Sequence, residues 1–422
     1  MKSKIKNIIK GGIYSDLLKV PRFWFRKVKV YINNKKHINY INNINCKPKT
    51  QTLKIAFVLK FPEIWNSSKT VFESFRKQEN VEVFIIAINN GENNVAYSFA
   101  KSFCKNVIYW DDTLMNYEKL DIDYVFFTRP YDKDYPQGLK PSYVSQYSKI
   151  CYIPYGFEFV TGYHIEVEYD YLFLPFAYMI FCEGDSSYSY CKKILPNDTS
   201  TKLLRSGFPR FDLLKEYTHK KGKTNKILWT PRWSIEKIAN DGTSFFLLID
   251  PLISFFSSEN MKNYNLVIRP HPLMFNNFIK NNLMTLQDIS ELKNKISKCR
   301  NISFDVNVNY LESASQADLI ISDFSGMLIE FLMLNKPVIY CGRTDNFDDT
   351  GKEMNSVMYH INSEFDIKRT IVDYLDKGDI LKNQREMFIK KMGVCNNLLN
   401  GEKIVKAILS DYYEKSDVKF IR

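Results

Sequence analysis

The chain has 422 residues, is 45% hydrophobic and carries a formal net charge of +12. That length exceeds one ordinary core and implies two domains with appendages. No apolar run approaches the ~18 residues of a membrane span. The eight cysteines (Cys46, Cys104, Cys151, Cys182, Cys191, Cys299, Cys341 and Cys395) form no Cys-x-x-Cys pair, and no signal peptide precedes them. They read as reduced core residues of a cytosolic protein, which excludes a disulfide or zinc framework.

The charge is concentrated at the start. Residues 1–36 hold eleven Lys and Arg against one acid, Asp16, and so carry +10 of the +12. Ile5, Ile9, Ile13 and Leu17 recur every four residues with lysines between them. This is the pattern of basic amphipathic helices, with breaks expected near Gly11-Gly12 and at Pro21. One reading is a peripheral anchor on an anionic membrane surface, worth ~1 kcal/mol per basic residue and aided by Phe23, Trp24 and Phe25. Another is a helix packed on the first domain with a solvated basic face. No recognition motif supports a nucleic-acid partner. Residues 37–52, rich in Asn, read as a linker, so 1–52 forms a membrane-associating segment and linker.

An α/β domain is expected over 53–214. Strands at Leu53 to Leu59, Val81 to Ile88, Asn106 to Trp110 and Tyr124 to Thr128 alternate with helical stretches, as in a parallel sheet. The first strand lacks a Gly-x-Gly-x-x-Gly loop, which argues against a dinucleotide-dependent oxidoreductase. Two Asp-x-Asp pairs occur, Asp121 with Asp123 and Asp132 with Asp134. The carboxylate pair alone is a weak metal signal, and no metal is expected. Ile150 to Phe159 runs from a strand into Tyr155-Gly156-Phe157-Glu158. Gly207-Phe-Pro-Arg210-Phe-Asp212 closes the domain, with Arg210 and Asp212 either structural or in a cleft. Polar residues 215–225 form a linker.

A second α/β domain is expected over 226–395. Strand Lys226 to Thr230 delivers Pro231-Arg232-Trp233 at its carboxyl end, where open α/β sheets bind ligands. Asp241 to Ser244 cap a helix through Phe245 to Phe256. Strand Tyr264 to Ile268 delivers Arg269-Pro270-His271-Pro272. Arginine suits phosphate oxygens in bidentate geometry, and a histidine held between prolines can donate to a leaving phosphate. Leu319 to Ile321 is a buried strand followed by Ser322-Asp323-Phe324-Ser325-Gly326 and an apolar helix. Asp323 and Ser325 can accept backbone N–H groups at the helix start, and the N-terminus favours an anion such as a diphosphate. Glu330 is a lone carboxylate in that helix, and it requires a partner or a cleft. Val338 to Cys341 is the next strand, Val357 to Ile361 is a further one, and helices follow over Glu364 to Lys377, Asp379 to Met392 and Gly401 to Tyr413.

Four segments resemble the CDP-glycerol glycerophosphotransferase family in order and spacing. They are Gly207 to Asp212, Leu228-Trp229-Thr230-Pro231-Arg232-Trp233, Ile268-Arg269-Pro270-His271-Pro272 and Ser322 to Gly326, with Gly326 where a second Ser is usual. The resemblance spans roughly residues 120–345. It implies a GT-B fold of two Rossmann-like domains facing a cleft, the last helix (within 396–422) crossing back onto the first. It also implies a CDP-activated donor and a glycan or lipid-linked acceptor, on the inner face of the cell membrane, in teichoic-acid or capsule synthesis. On this reading Ser325 and Gly326 meet the donor phosphates and Glu330 the ribose, with Asp323 beside them. Arg232, Arg269 and His271 stabilise the leaving nucleotide, and neither metal nor cofactor is needed. The family's expected base is a His that precedes a Gly, and here Tyr155 precedes Gly156. An ordinary Tyr, with pKa ~10, is a poor base at neutral pH. Either Tyr155 positions the acceptor or a neighbour, Glu158, Asp132 or His164, takes the proton. His164 reads as a surface loop residue. The departure keeps open a nucleotide-sugar glycosyltransferase, and a third reading is a non-enzymatic partner in a surface-polymer complex.

Overall fold

In the computed structural model the apolar runs become two all-parallel sheets. The structure describes residues 13–46, 50–88, 94–170, 172–217, 222–235, 242–305, 307, 309–342, 346–361, 363–392 and 399–413. The Gly11-Gly12 break, the side chains of Phe23 and Trp24, and Asp241 lie outside what is described. The chain divides into two units, the first comprising Met1–Glu158, Ile165–Arg210 and Leu398–Arg422, the second Phe159–His164 and Phe211–Asn397. Each is Rossmann-like, and together they make the GT-B class.

The first unit contains β1 (Leu53–Leu59), β2 (Val81–Ile88), β3 (Val107–Trp110), β4 (Tyr124–Phe127), β5 (Lys149–Tyr152), β6 (Ala177–Cys182) and β7 (Lys202–Arg205), in the order β3-β2-β1-β4-β5-β6-β7. Burial on both faces explains why β1, β4 and β6 are nearly continuous in Val, Ile, Phe and Tyr. Phe57 on β1 stacks on Phe126 of β4 at 4.7 Å between centroids. The strand order reverses between β1 and β4, and this switch point opens at the strands' carboxyl ends. Asp121 and Asp123 sit at the other end, where they take the Lys54 ammonium at 3.0 Å and the Lys54 N–H at 2.8 Å.

The N-terminal helix differs from expectation. It runs unbroken from Ile13 to Asn45, through Pro21 and through most of the expected linker. Tertiary packing overrides the local signals. Val30, Asn34, His37 and Ile41 recur at helical spacing, and all are buried in this unit. Asn34 accepts from Thr199 Oγ1 at 2.7 Å, and His37 Nδ1 lies 3.1 Å from Ser200 Oγ. Burial alone holds the His37 imidazole down at about 3. The opposite face is exposed and carries Phe25, Val28 and Ile32 among Lys29, Lys35 and Lys36.

The helix Asn400–Tyr413 packs in this first unit, burying Ile404, Val405, Ile408 and Tyr412. Such side chains contribute roughly 1.5–3 kcal/mol each. Gly207, at φ +73°, lies where a Cβ would come within 2.5 Å of Asn400 Oδ1, so only glycine fits. Asp411 fastens the helix at the amino ends of the strands. It pairs with Lys149 at 3.0 Å and with Lys202, and it accepts from Tyr178 at 2.7 Å and from Tyr124.

The second unit contains β8 (Lys226–Thr230), β9 (Asn265–Ile268), β10 (Ile302–Phe304), β11 (Leu319–Ser322), β12 (Val338–Tyr340) and β13 (Tyr359–His360), in the order β10-β9-β8-β11-β12-β13. Its switch point lies between β8 and β11, whose registers place Thr230 beside Ser322. In this unit Arg385 is wholly buried and paired with Asp379, and its Nε donates to Asn335 at 3.0 Å.

Asp411→Asn should destabilise the protein by about 3 kcal/mol, because the variant removes the carboxylate that pairs with buried Lys149 and with Lys202. The cations beside Asp411 hold its carboxyl down at about 2, below the ordinary 3.8. The carboxylate therefore stabilises the fold above the ordinary value, and that contribution is lost as pH falls towards 2. Thermal melts of wild type and variant at pH 7 and pH 3 test both points: the gap between them should narrow at the lower pH.

Candidate active site

The second unit gathers the polar residues that the sequence singles out on β8, β9 and β11. Arg232, Arg269, His271 and Asp323 all lie just beyond the carboxyl ends of these strands. Backbone bonds hold the loops together: His271 N–H donates to Pro231 O at 3.3 Å, and Arg269 N–H to Trp229 O at 2.7 Å. The Arg232 guanidinium lies 5.2 Å from the centre of the Phe324 ring. Trp233, partly exposed, lies 6.0 Å from the His271 ring.

Leu273 N–H donates to His271 Nδ1 at 3.1 Å. The neutral ring therefore carries its proton on Nε2, which is left to donate outward. Burial, and then the Arg232 charge, hold this imidazole down at about 4. At neutral pH it acts as a hydrogen-bond donor without a full charge. Arg269 donates to Asp305 Oδ2 at 2.6 Å and to Asn307 O at 2.7 Å. Asp305 had no signal in the sequence, since it follows a strand of only three residues.

Asp323 is 2% exposed, and its carboxylate accepts Arg232 N–H at 2.7 Å, Thr243 Oγ1–H at 3.1 Å and Ser244 N–H at 3.2 Å. It braces the loop after β8 and the start of the helix Phe245–Phe256. Ser325 Oγ accepts Met327 N–H at 3.2 Å, capping the turn before the helix Leu328–Met333. Gly326 is exposed, with nothing within 4 Å of the place a Cβ would occupy. Glu330 is 1% exposed, and the Tyr310 hydroxyl donates to it. A phenol, that of half-buried Tyr310, is thus one partner of this carboxylate.

In the first unit the surroundings of Tyr155 disfavour its ionisation. Burial first, then Glu168 and Tyr131, push its phenol far above the ordinary 10. Its hydroxyl lies 3.0 Å from that of Tyr131, and the Arg129 guanidinium sits 5.3 Å from its ring centre. Arg210 donates to the Tyr155 carbonyl at 3.1 Å, which gives Arg210 a structural task. Asp134 is taken by Arg129 at 2.6 Å and Asp132 by Lys140 at 2.9 Å. Glu158 is half-buried, and its N–H donates to Glu183 Oε1 at 3.2 Å. Burial, then Glu158 and Glu183, raise Glu168 well above the carboxylate range, and burial raises Glu183 to about 7. Glu168 and Glu183 went unnoticed in the sequence because they stand among ordinary helix and strand-end signals.

His164 departs from expectation too. It belongs to the second unit, half-buried, its ring 5.8 Å from Phe324. Burial, then Arg232, lower its proton affinity below the ordinary 6.5.

Residues 190–356 match the family model described as CDP-Glycerol:Poly(glycerophosphate) glycerophosphotransferase. That stretch contains Arg232, Arg269, His271 and the run from Asp323 to Glu330. No curated protein matches the chain in sequence. Among solved structures, the chain is similar to a putative UDP-N-acetylglucosamine 2-epimerase from Listeria monocytogenes, with TM-score 0.58 and 11% identity over 88% of this chain and 100% of that one. The UDP-GlcNAc 2-epimerase from Neisseria meningitidis gives 0.57 and 11% over 85% and 100%. A variant of the wall teichoic acid polymerase TagF gives 0.54 and 14% over 95% and 99%. At these identities the likeness establishes the fold.

Asp323→Ala should lower stability by about 3 kcal/mol, because it strands buried N–H donors. Asp323→Asn, which keeps one acceptor oxygen, should cost less. Melting temperature and nucleotide affinity, measured on the same samples, separate brace from ligand contact. A variant that melts like wild type but no longer binds nucleotide would return Asp323 to the ligand.

Proposed function

We propose that the protein is a transferase that moves a glycerol-phosphate-like unit from a CDP-activated donor to a cell-surface glycan or lipid-linked acceptor. The observation that carries this reading is the cluster of Arg232, Arg269 and His271 at the switch point of the second unit, inside the stretch that matches the family model. The donor diphosphate rests at the Ser325-Gly326 turn, where open space beside Gly326 admits it. The two arginines and His271 Nε2–H face the leaving nucleotide, and charge developing there is stabilised by groups already in place. Tyr310 and Glu330 form the polar pair for the ribose, with Glu330 orienting the phenol. Because positive side chains supply the counter-charge, a divalent metal is dispensable.

The acceptor hydroxyl attacks the phosphorus that bears glycerol. A new P–O bond forms, the bond to the bridging oxygen breaks, and CMP departs with that oxygen and its electron pair. His271→Ala should lower kcat about 100-fold with little change in donor affinity, because leaving-group charge grows in the transition state. Glu330→Ala should chiefly weaken donor binding. Release of CMP from CDP-glycerol, compared with CDP-ribitol and common nucleotide sugars, with and without EDTA, tests the whole reading. Turnover confined to a nucleotide sugar would make the enzyme a glycosyltransferase, and abolition by EDTA would overturn metal independence.

The exposed face of the N-terminal helix supports a peripheral site on an anionic membrane. Phe25, Val28 and Ile32 stand there among Lys29, Lys35 and Lys36, while the opposite face is buried. Removing the helix would uncover Val30 and Ile41, so point substitutions are the cleaner test. Phe25→Ser with Ile32→Ser should reduce sedimentation with anionic vesicles at all salt concentrations. Lys29→Glu with Lys36→Glu should reduce it chiefly at low salt. Equal sedimentation of wild type with neutral and anionic vesicles would count against the site.

A further inference from the structure

The stretch that leaves β5 passes through Tyr155-Gly156 and reaches His164 in the first turn of the helix Tyr163–Glu168. Residues Phe159–His164 form a strap that belongs to the second unit. Val160 makes an antiparallel bridge with Phe347, Thr161 N–H donates to Asn346 O at 2.7 Å, and Asp348 N–H donates to Phe159 O at 3.1 Å. Gly351 permits this seating, since a Cβ there would lie 2.1 Å from Phe159 O. The Phe159 ring packs 5.5 Å from Phe324 and 6.3 Å from Phe347. His164 thereby reaches Phe324, the same ring against which Arg232 lies.

We propose, on the premise that Arg232 holds a donor phosphate, that His164 is the catalytic base that removes the proton from the acceptor hydroxyl. The family's position for that base holds Tyr155 here, and its phenol is sealed against Tyr131 and Arg129. On this reading the role lies nine residues further along the chain, in the first turn of the helix Tyr163–Glu168. In the step, the acceptor O–H proton passes to an imidazole nitrogen of His164 as the oxygen forms its bond to phosphorus. CMP leaves with the bridging oxygen, and the imidazolium then returns its proton to water.

The surroundings fit a base that is armed by its substrate. Arg232 is the charged group that acts on His164, and with burial it keeps the ring neutral at pH 7. A neutral ring has the lone pair a base requires. A phosphate at Arg232 offsets the guanidinium charge, so the ring's affinity for a proton rises when donor is bound. Imidazole and donor are thus coupled through one arginine.

The test uses the full chain, with CDP-glycerol turnover and imidazole ¹⁵N NMR. His164→Asn should bind CMP as wild type does, lower kcat about 100-fold, and lose the acid limb of the kcat/KM profile. In free wild-type protein the His164 signal should titrate below 6.5, and it should shift upward both on adding CMP and in Arg232→Ala. Turnover of His164→Asn within threefold of wild type overturns the proposal. So does an acid limb that survives in His164→Asn and disappears in Glu158→Gln, which would make Glu158 the base. Failure of wild type to bind any cytidine nucleotide overturns the donor reading instead, and it is seen in the binding measurement before turnover is compared.

Discussion

The second unit depends on one buried carboxylate. Asp323 leaves β11 at the switch point and accepts hydrogen bonds from the loop after β8 and from the start of the helix Phe245–Phe256. A carboxylate this deep is costly unless its oxygens are hydrogen-bonded, and here N–H and O–H groups satisfy them. The consequence reaches Arg232. Its backbone is fixed by Asp323, so its guanidinium is carried to Phe324, beside His164 and within electrostatic reach of His271. The two charges act in different ways: the negative one orders the loop, and the positive one adds to burial in keeping both imidazoles neutral.

Much of this could be read from the chain. Runs such as Leu53 to Leu59 and Leu319 to Ile321 announce parallel strands because burial on both faces removes any alternation. Arg269 and His271 read as site residues because prolines stiffen them at a strand's carboxyl end. The role of Asp323 was not legible for a simple reason. An Asp before a helix suggests a cap, and the donors it actually binds lie about 80 to 90 positions earlier in the chain. Glu330 posed the right question, but its partner Tyr310 carries no formal charge and gave no charge signal. Pro21 and the Asn-rich stretch after it argued for a break and a linker. Buried Val30, Asn34, His37 and Ile41 outweigh both, since tertiary contacts exceed a local propensity cost.

The same logic separates the two halves of the N-terminal helix's chemistry. Its basic character is a property of the whole stretch, but burial sorts it by face. His37 and Asn34 go inward as neutral groups, and the lysines remain outside with Phe25, Val28 and Ile32. A helix whose two faces are both apolar in part has two surfaces to satisfy, and packing within the first unit occupies only one. Sequence pattern alone reported the sum of the two faces, which is why anchor and packed helix looked like rival readings. The packed reading concerns the inward side of the helix, and the anchor proposal concerns the outward side.

The strap at Phe159–His164 shows how a change at one residue can be absorbed without rebuilding a fold. Tyr155 fills its place with a ring that interacts with Tyr131 and Arg129, and burial keeps its phenol protonated near neutral pH. The loop that follows is tethered to the second unit by backbone bonds at Thr161 and Asp348, which place no demand on side-chain identity. Its terminal residue is therefore free to vary chemically while its position stays fixed by Phe159, Phe347 and Gly351. A histidine there has its proton affinity lowered by burial and then by Arg232, whose backbone is held by Asp323. The geometry thus links the buried brace, the cation and the imidazole in a single chain of dependence.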